Sequence, residues 1–149
     1  MLCEKTEFAL EDFMPYRLNR AAEAVSLAFA RIYKEKYGLS RPEWRAFAIV
    51  GQFGTVTATE ISAKSTMDRT KVSRAVFSLE DQGWLKRSQD VKDRRVENLE
   101  LTPQGRKKFE TLTKLAQLFE EEIVAVLGRK NMSDLQNGLI AIEKEFLQE

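Results

Sequence analysis

Residues 57–105 read TATEISAKSTMDRTKVSRAVFSLEDQGWLKRSQDVKDRRVENLELTPQG, and this stretch decides the fold. Thr57-Ala58-Thr59-Glu60 is a capping box, in which a hydroxyl and an acid three residues on satisfy first-turn amides. A short helix therefore starts here and runs to about Lys64. Ser65-Thr66-Met67-Asp68 turns the chain, and Asp68 is placed to cap a second helix running to about Gln82, with Gly83 at its end. Trp84-Leu85-Lys86-Arg87 and Val96 to Leu101 read as strands, joined by a long polar connection from Ser88 to Arg95. Thr102-Pro103 opens a further helix, with proline at the first position, where a missing N–H costs nothing. Two short helices followed by a hairpin make a winged helix.

Outside this stretch the chain is helical. In residues 13–37, Leu18, Ala22, Val25, Phe29 and Ile32 recur at steps of four and three, one face of a long helix that Gly38 ends. Ser40-Arg41-Pro42-Glu43 opens the next helix, whose buried side is expected from Trp44, Phe47, Ala48 and Val50 until Gly51 and Gly54 break it. Beyond Pro103, Leu112, Ala116, Phe119, Ile123 and Val126 keep the same spacing. Gly128 is expected to interrupt, and Ser133 to restart a last helix carrying Leu135, Leu139, Ile142 and Phe146. The expected fold class is mainly α with a small β-hairpin wing, ordered α, α, α, α, hairpin, α, α. It divides into an N-terminal helix region (1–37), a winged helix-turn-helix lobe (38–105) and C-terminal helices (106–149).

A chain of 149 residues, 43% hydrophobic and 32% charged, has room for one core plus a helical extension. No apolar run approaches the roughly 20 residues that cross a bilayer. The N-terminus MLCEKTEFALEDF has acids where a signal peptide has a basic region, so a cytoplasmic location is expected. The single cysteine, Cys3, excludes an intrachain disulfide framework. Net charge is only +1, but it is unevenly spread. Residues 69–95 hold eight Lys/Arg against four Asp/Glu, and residues 109–149 hold four against eight. Attraction to phosphate depends on the local patch, and that patch is central.

At about 100° per residue, Val72, Val76 and Leu79 of the second helix cluster on one side. Thr70, Arg74, Phe77 and Asp81 fall opposite, flanked by Lys71, Ser73 and Ser78. Hydroxyls and cations at a helix N-terminus suit base edges and phosphates in a major groove; the plain alternative is a solvated face. The large apolar Phe77 on that outward side is unexpected, unless it packs under the hairpin or against the first helix. The connection Gln89-Asp90-Val91-Lys92-Asp93-Arg94-Arg95 interleaves acids with cations. An economical arrangement has one acid orient a neighbouring guanidinium and leaves the other free for a narrow minor groove. The alternative is a surface ion pair closing the loop.

Taken together, residues 57–105 resemble the multiple-antibiotic-resistance-regulator (MarR) family of bacterial transcription factors. The resemblance rests on Asp68-Arg69-Thr70-Lys71-Val72-Ser73-Arg74, on Leu79 to Leu85, and most specifically on Asp90 to Arg95 followed by Leu99-Glu100-Leu101-Thr102-Pro103-Gln104-Gly105. The order of the flanking helices agrees, so the resemblance covers nearly the whole chain. It implies a homodimer in which the terminal helices of two subunits interlock and two winged helices read a pseudo-palindrome of double-stranded DNA. It further implies that Arg94 or Arg95 enters the minor groove, with Asp93 holding the wing arginine. Phe77 departs from the family pattern, in which a polar residue is more usual.

The expected function is accordingly a dimeric transcriptional repressor, with Arg69, Thr70, Lys71, Ser73, Arg74, Lys92, Asp93, Arg94 and Arg95 on DNA. A small lipophilic or aromatic effector is expected to release it, in a pocket drawn from Phe13, Tyr16, Phe29, Trp44, Phe47 and Phe109, although a set of aromatics like this is more often plain core. Two rival readings are an oxidant sensor working through Cys3 and a winged-helix adaptor that binds protein alone. Cys3 sits beside Glu4 rather than in an electropositive pocket, and an adaptor has no use for Arg94 and Arg95. No enzyme, cofactor or metal site is expected: there is no histidine, and Gly51-Gln52-Phe53-Gly54 lacks the spacing and lysine of a phosphate loop.

Overall fold

The computed structural model of the protein describes residues 7–147. Its helices are α1 (Met14–Tyr37), α2 (Arg41–Phe53), α3 (Ala58–Ser65), α4 (Arg69–Asp81), α5 (Pro103–Leu127) and α6 (Arg129–Phe146). Between α4 and α5, β1 (Leu85–Gln89) and β2 (Glu97–Leu101) pair antiparallel, Leu85 opposite Leu101 and Gln89 opposite Glu97. The winged helix with long terminal helices is the order expected. Cys3 lies outside the described residues.

The helix starts are local chemistry. The Ser40, Thr57, Asp68 and Thr102 side chains each accept a hydrogen bond from the backbone N–H three residues on, at 2.9–3.3 Å. Thr57 and Glu60 complete the capping box. Gly38 ends α1 in the left-handed conformation, its N–H donating to the Lys34 carbonyl.

Four local expectations need correcting. Helix α2 continues through Gly51 and stops only at Gly54. Gly51 is there for close approach, because a Cβ on it would overlap the Phe109 ring. The fully buried residues of α2 are Ala46, Phe47, Val50 and Gly51, with Trp44 and Ala48 only half-buried. The strands lie one or two residues later than their hydrophobicity suggests. Finally, Gly128 breaks the chain for one residue only, and α6 starts at Arg129 rather than Ser133.

The core lies within the lobe, and the C-terminal half of α1 and the first half of α5 pack onto it. Tyr33, Leu39, Phe47, Val50, Ile61, Val72, Leu79, Leu99 and Leu112 are all 2% exposed or less. Val56 bridges Leu99 through two backbone hydrogen bonds (3.0 and 2.7 Å), tying the start of α3 to the wing. Across the base of the wing, Thr102 N–H donates to the Trp84 carbonyl at 3.0 Å and its hydroxyl to the Gly83 carbonyl at 2.6 Å. A side chain on Gly105 would overlap that same Trp84 carbonyl, so α5 can leave the hairpin this tightly only from glycine.

The terminal helices behave differently. Within α1 the buried residues are Phe29, Ala30 and Tyr33, within α5 Gly105 and Leu112, and in α6 there are none. The apolar stripes of the outer parts of these helices thus remain uncovered in one chain. They frame an apolar groove of about 640 Å³ lined by Leu18, Val25, Ile123, Val126, Leu135 and Leu139 among others.

Candidate nucleic-acid interface

The turn between α3 and α4 is held by side chains. The Ser62 hydroxyl donates to the Met67 carbonyl at 2.6 Å, and Met67 N–H donates to the Ser65 hydroxyl at 3.2 Å. Thr66 takes a left-handed conformation (φ 59°) to close it. This sets the start of α4, whose Val72, Ala75, Val76 and Leu79 enter the core. Arg69, Thr70, Lys71, Ser73 and Arg74 are all exposed along its outer face, as the helical period requires.

The wing tip is built by its two aspartates. Asp90 accepts the Lys92 N–H at 2.9 Å, and Asp93 accepts the Arg95 N–H at 3.0 Å, two side-chain turns in succession. Asp93 also accepts from the Arg95 guanidinium at 3.2 and 3.4 Å. That guanidinium and the Arg95 N–H hold the Asp93 carboxyl below its ordinary range. The interleaved acids are therefore structural. They shape the loop that carries the cations, a role that reading the tip as charge alone does not reveal.

The cations of the lobe sort by place. Lys86 pairs with Glu100 (3.4 Å), Arg95 with Asp93, and Arg87 with both Glu80 (2.9 Å) and Glu97 (3.0 Å). Among the described residues, Arg69, Lys71, Arg74, Lys92 and Arg94 form no ion pair. These five stand on the outer face of α4 or at the wing tip; Arg45 on α2 and Lys64 on α3 are unpaired as well. Arg87 was not singled out by its sequence context, since its partners lie seven and ten residues away on different elements. It joins α4 to the wing through Glu80 and Glu97.

Of the aromatic residues proposed for one pocket, the structure brings together Phe29 and Trp44, with ring centres 5.3 Å apart. Tyr33 and Phe119 complete the group, at 5.3 and 5.2 Å from Phe29. These line a cavity of about 310 Å³ with Arg41 and Arg45 at its polar side. Phe47 is instead wholly inside the core, and Phe109 packs edge-on against it at 5.9 Å. Phe13 and Tyr16 lie at the far end of α1, away from the cavity. Arg41 forms a two-pronged pair with Glu23 at 2.8 and 3.0 Å, while its Nε is buried without a partner. Helical period cannot foretell this pairing, because it spans two helices.

Residues 39–96 match the MarR family. The chain is 28% identical over 110 residues to the HTH-type transcriptional regulator YwoH of Bacillus subtilis, covering 74% of this chain and 79% of that protein. A crystal structure of a MarR family transcriptional regulator from Silicibacter pomeroyi is 25% identical and superposes with a TM-score of 0.77, covering 92% of each chain. The fold is shared with Bordetella bronchiseptica BpsR (TM-score 0.80, 18% identity, covering 92% of this chain and 97% of that one), whose DNA binding is regulated by 6-hydroxynicotinic acid. Among the described residues no helix is long and apolar enough to cross a membrane.

Proposed function

The chain carries the MarR-family winged helix-turn-helix domain of a transcriptional regulator over residues 39–96, and from that premise we propose a homodimeric repressor of a pseudo-palindromic operator. Residues 38–105 bind DNA, and residues 1–37 and 106–149 join the subunits. The observation that carries this reading is a cluster of cations: Arg69, Lys71, Arg74, Lys92 and Arg94, unpaired with carboxylates, stand together on the outer face of α4 and at the wing tip, where a winged helix meets a major groove and the adjoining backbone or minor groove. Its place of work is the cytoplasm, with the DNA, and its role is regulation rather than catalysis, as for its relatives.

The two surfaces divide the work. Thr70, Lys71, Ser73 and Arg74 face base edges, while Lys92, Arg94 and Arg95 face phosphate and minor groove. Arg74→Ala should cost about 1–3 kcal/mol on the best operator and much less on random DNA. Arg94→Ala and Arg95→Ala should weaken binding to every sequence, and each lost phosphate contact should flatten the salt slope by about one unit. Operator and random-DNA affinities across a salt series check both. Equal losses on the two DNAs for Arg74→Ala would move base reading elsewhere.

For the effector, the cavity bounded by Phe29, Trp44 and Phe119 is the site we assign. Its volume of about 310 Å³ lies at the small end of ligand pockets, roughly 300–1,000 Å³, and suits a single aromatic ring. That BpsR responds to 6-hydroxynicotinic acid supports the same ligand class. An effector that lowers operator affinity must lose affinity by the same factor when operator is present, typically about 1–3 kcal/mol of coupling. Titrating one-ring aromatic acids by calorimetry, with and without operator, tests this. Release of DNA by peroxide alone, abolished by Cys3→Ser, would transfer the regulatory role to the thiol.

A further inference from the structure

Phe77 is a large apolar side chain left 65% exposed on the outer face of α4. It is not among the hydrophobic residues that form the core or pack against it. Exposed Phe53 and Phe8 have neighbours, Lys64 4.1 Å from the Phe53 ring centre and Phe13 5.4 Å from Phe8, while exposed Phe146 belongs to the uncovered stripe of α6. Among the described residues Phe77 has no aromatic or cationic partner. It also stands in line with Thr70 and Arg74, three residues beyond the arginine, so the two side chains are neighbours on one face.

From this placement we infer that Phe77 is a specificity-determining residue that reads the 5-methyl group of a thymine in each half-site; the inference rests on the DNA-binding reading above. The thymine methyl is the apolar group that the major groove offers, and the patterns of the other bases there are donors and acceptors. Geometry admits the contact. From Thr70 to Phe77 the helix axis advances about 10.5 Å, and from Thr70 to Asp81 about 16.5 Å. The groove is about 12 Å wide, so even a helix lying straight across it keeps Phe77 inside while Asp81 falls beyond. An acid at that next position on the stripe agrees, since a carboxylate inside the groove rim would face phosphates. Polar side chains at residue 77 would be satisfied by water in free protein. A phenyl ring gains only by leaving water, and a methyl group lets it do so without stranding a base's hydrogen-bonding edge.

The test uses the full-length protein. Operators are first selected from random DNA, and each selected thymine is then replaced singly by deoxyuridine, which removes only the methyl. Wild type should lose about fourfold in affinity at one thymine per half-site, the worth of one buried methyl-sized group. Replacing that thymine in both half-sites should lose about sixteenfold. Phe77→Ala should be indifferent to the same replacements, and should select sites in which that thymine is no longer fixed. Because the side chain is exposed, its thermal unfolding should match wild type. An equal response of wild type and Phe77→Ala to every uridine overturns the inference, as does a loss by Phe77→Ala that is the same on random DNA. Wild type that selects no DNA at all would overturn the DNA-binding reading itself, a result distinct from either.

Discussion

Deleting residues 133–149 should convert the protein to a monomer whose affinity for a two-half-site operator falls by about 10²–10⁴-fold. The cause is geometric rather than chemical, since no proposed DNA contact is removed. When two winged helices are held together, binding of the first places the second near its half-site at an effective concentration in the millimolar range. Separate subunits forfeit that gain. The reason to expect a dimer lies in the uncovered stripes. Val126 is 87% exposed, Phe146 76%, Ile140 55% and Leu135 45%. Leu18, Val25, Val126 and Leu135 line one apolar groove, and exposed apolar patches of this kind mark interaction sites. Two-fold pairing of identical chains would cover it. Because the deletion also removes packing within the chain, Val126→Glu makes a cleaner companion. An 87% exposed side chain contributes little to the fold of one subunit, yet a carboxylate there cannot be buried at an interface without cost. Sedimentation equilibrium at micromolar protein, with DNA binding by anisotropy, reads both variants. A wild type that sediments as a monomer would end the dimer reading.

Phe47→Ala should destabilise the protein by about 3–5 kcal/mol, a large part of the roughly 5–15 kcal/mol that keeps a domain folded. Phe47 is 0% exposed and stands between the Trp84 ring at 5.2 Å and the Phe109 ring at 5.9 Å. It thereby joins α2 to the base of the wing and to α5. Trp44→Ala, three residues earlier on the cavity wall and only half-buried, should cost clearly less stability while weakening any aromatic effector. Urea unfolding at one fixed protomer concentration compares the two, since association contributes to apparent stability. A small loss for Phe47→Ala, joined to a large loss of effector affinity, would return Phe47 to the ligand pocket that its sequence context suggested.

The contrast between Phe47 and Trp44 shows what pattern alone resolves. Both lie on the apolar side of one helix, and an aromatic at that spacing suits core or cavity equally well. Which it becomes depends on whether α5 brings Phe109 over Gly51 or leaves a gap beside Phe119. The glycines teach a similar lesson. Gly38 is a helix end that can be read from its position, because capping depends on the residue's own backbone. Gly51 looks the same in a string of letters but lies inside α2, where a ring from a residue 58 positions later needs the room.

The helix starts at Ser40, Thr57, Asp68 and Thr102, the face that α4 turns outward, and the order of helices and hairpin were all determined by sequence. Each is governed by contacts within about four residues, and within a helix or a turn such contacts repeat with fixed geometry. Tertiary structure decided that Arg87 ties the wing to α4, and that Glu23 holds Arg41 beside the cavity. It also decided which stripes stay uncovered. Those outcomes depend on how separate elements are oriented, and a local code of period and capping does not carry the angle at which one helix meets another.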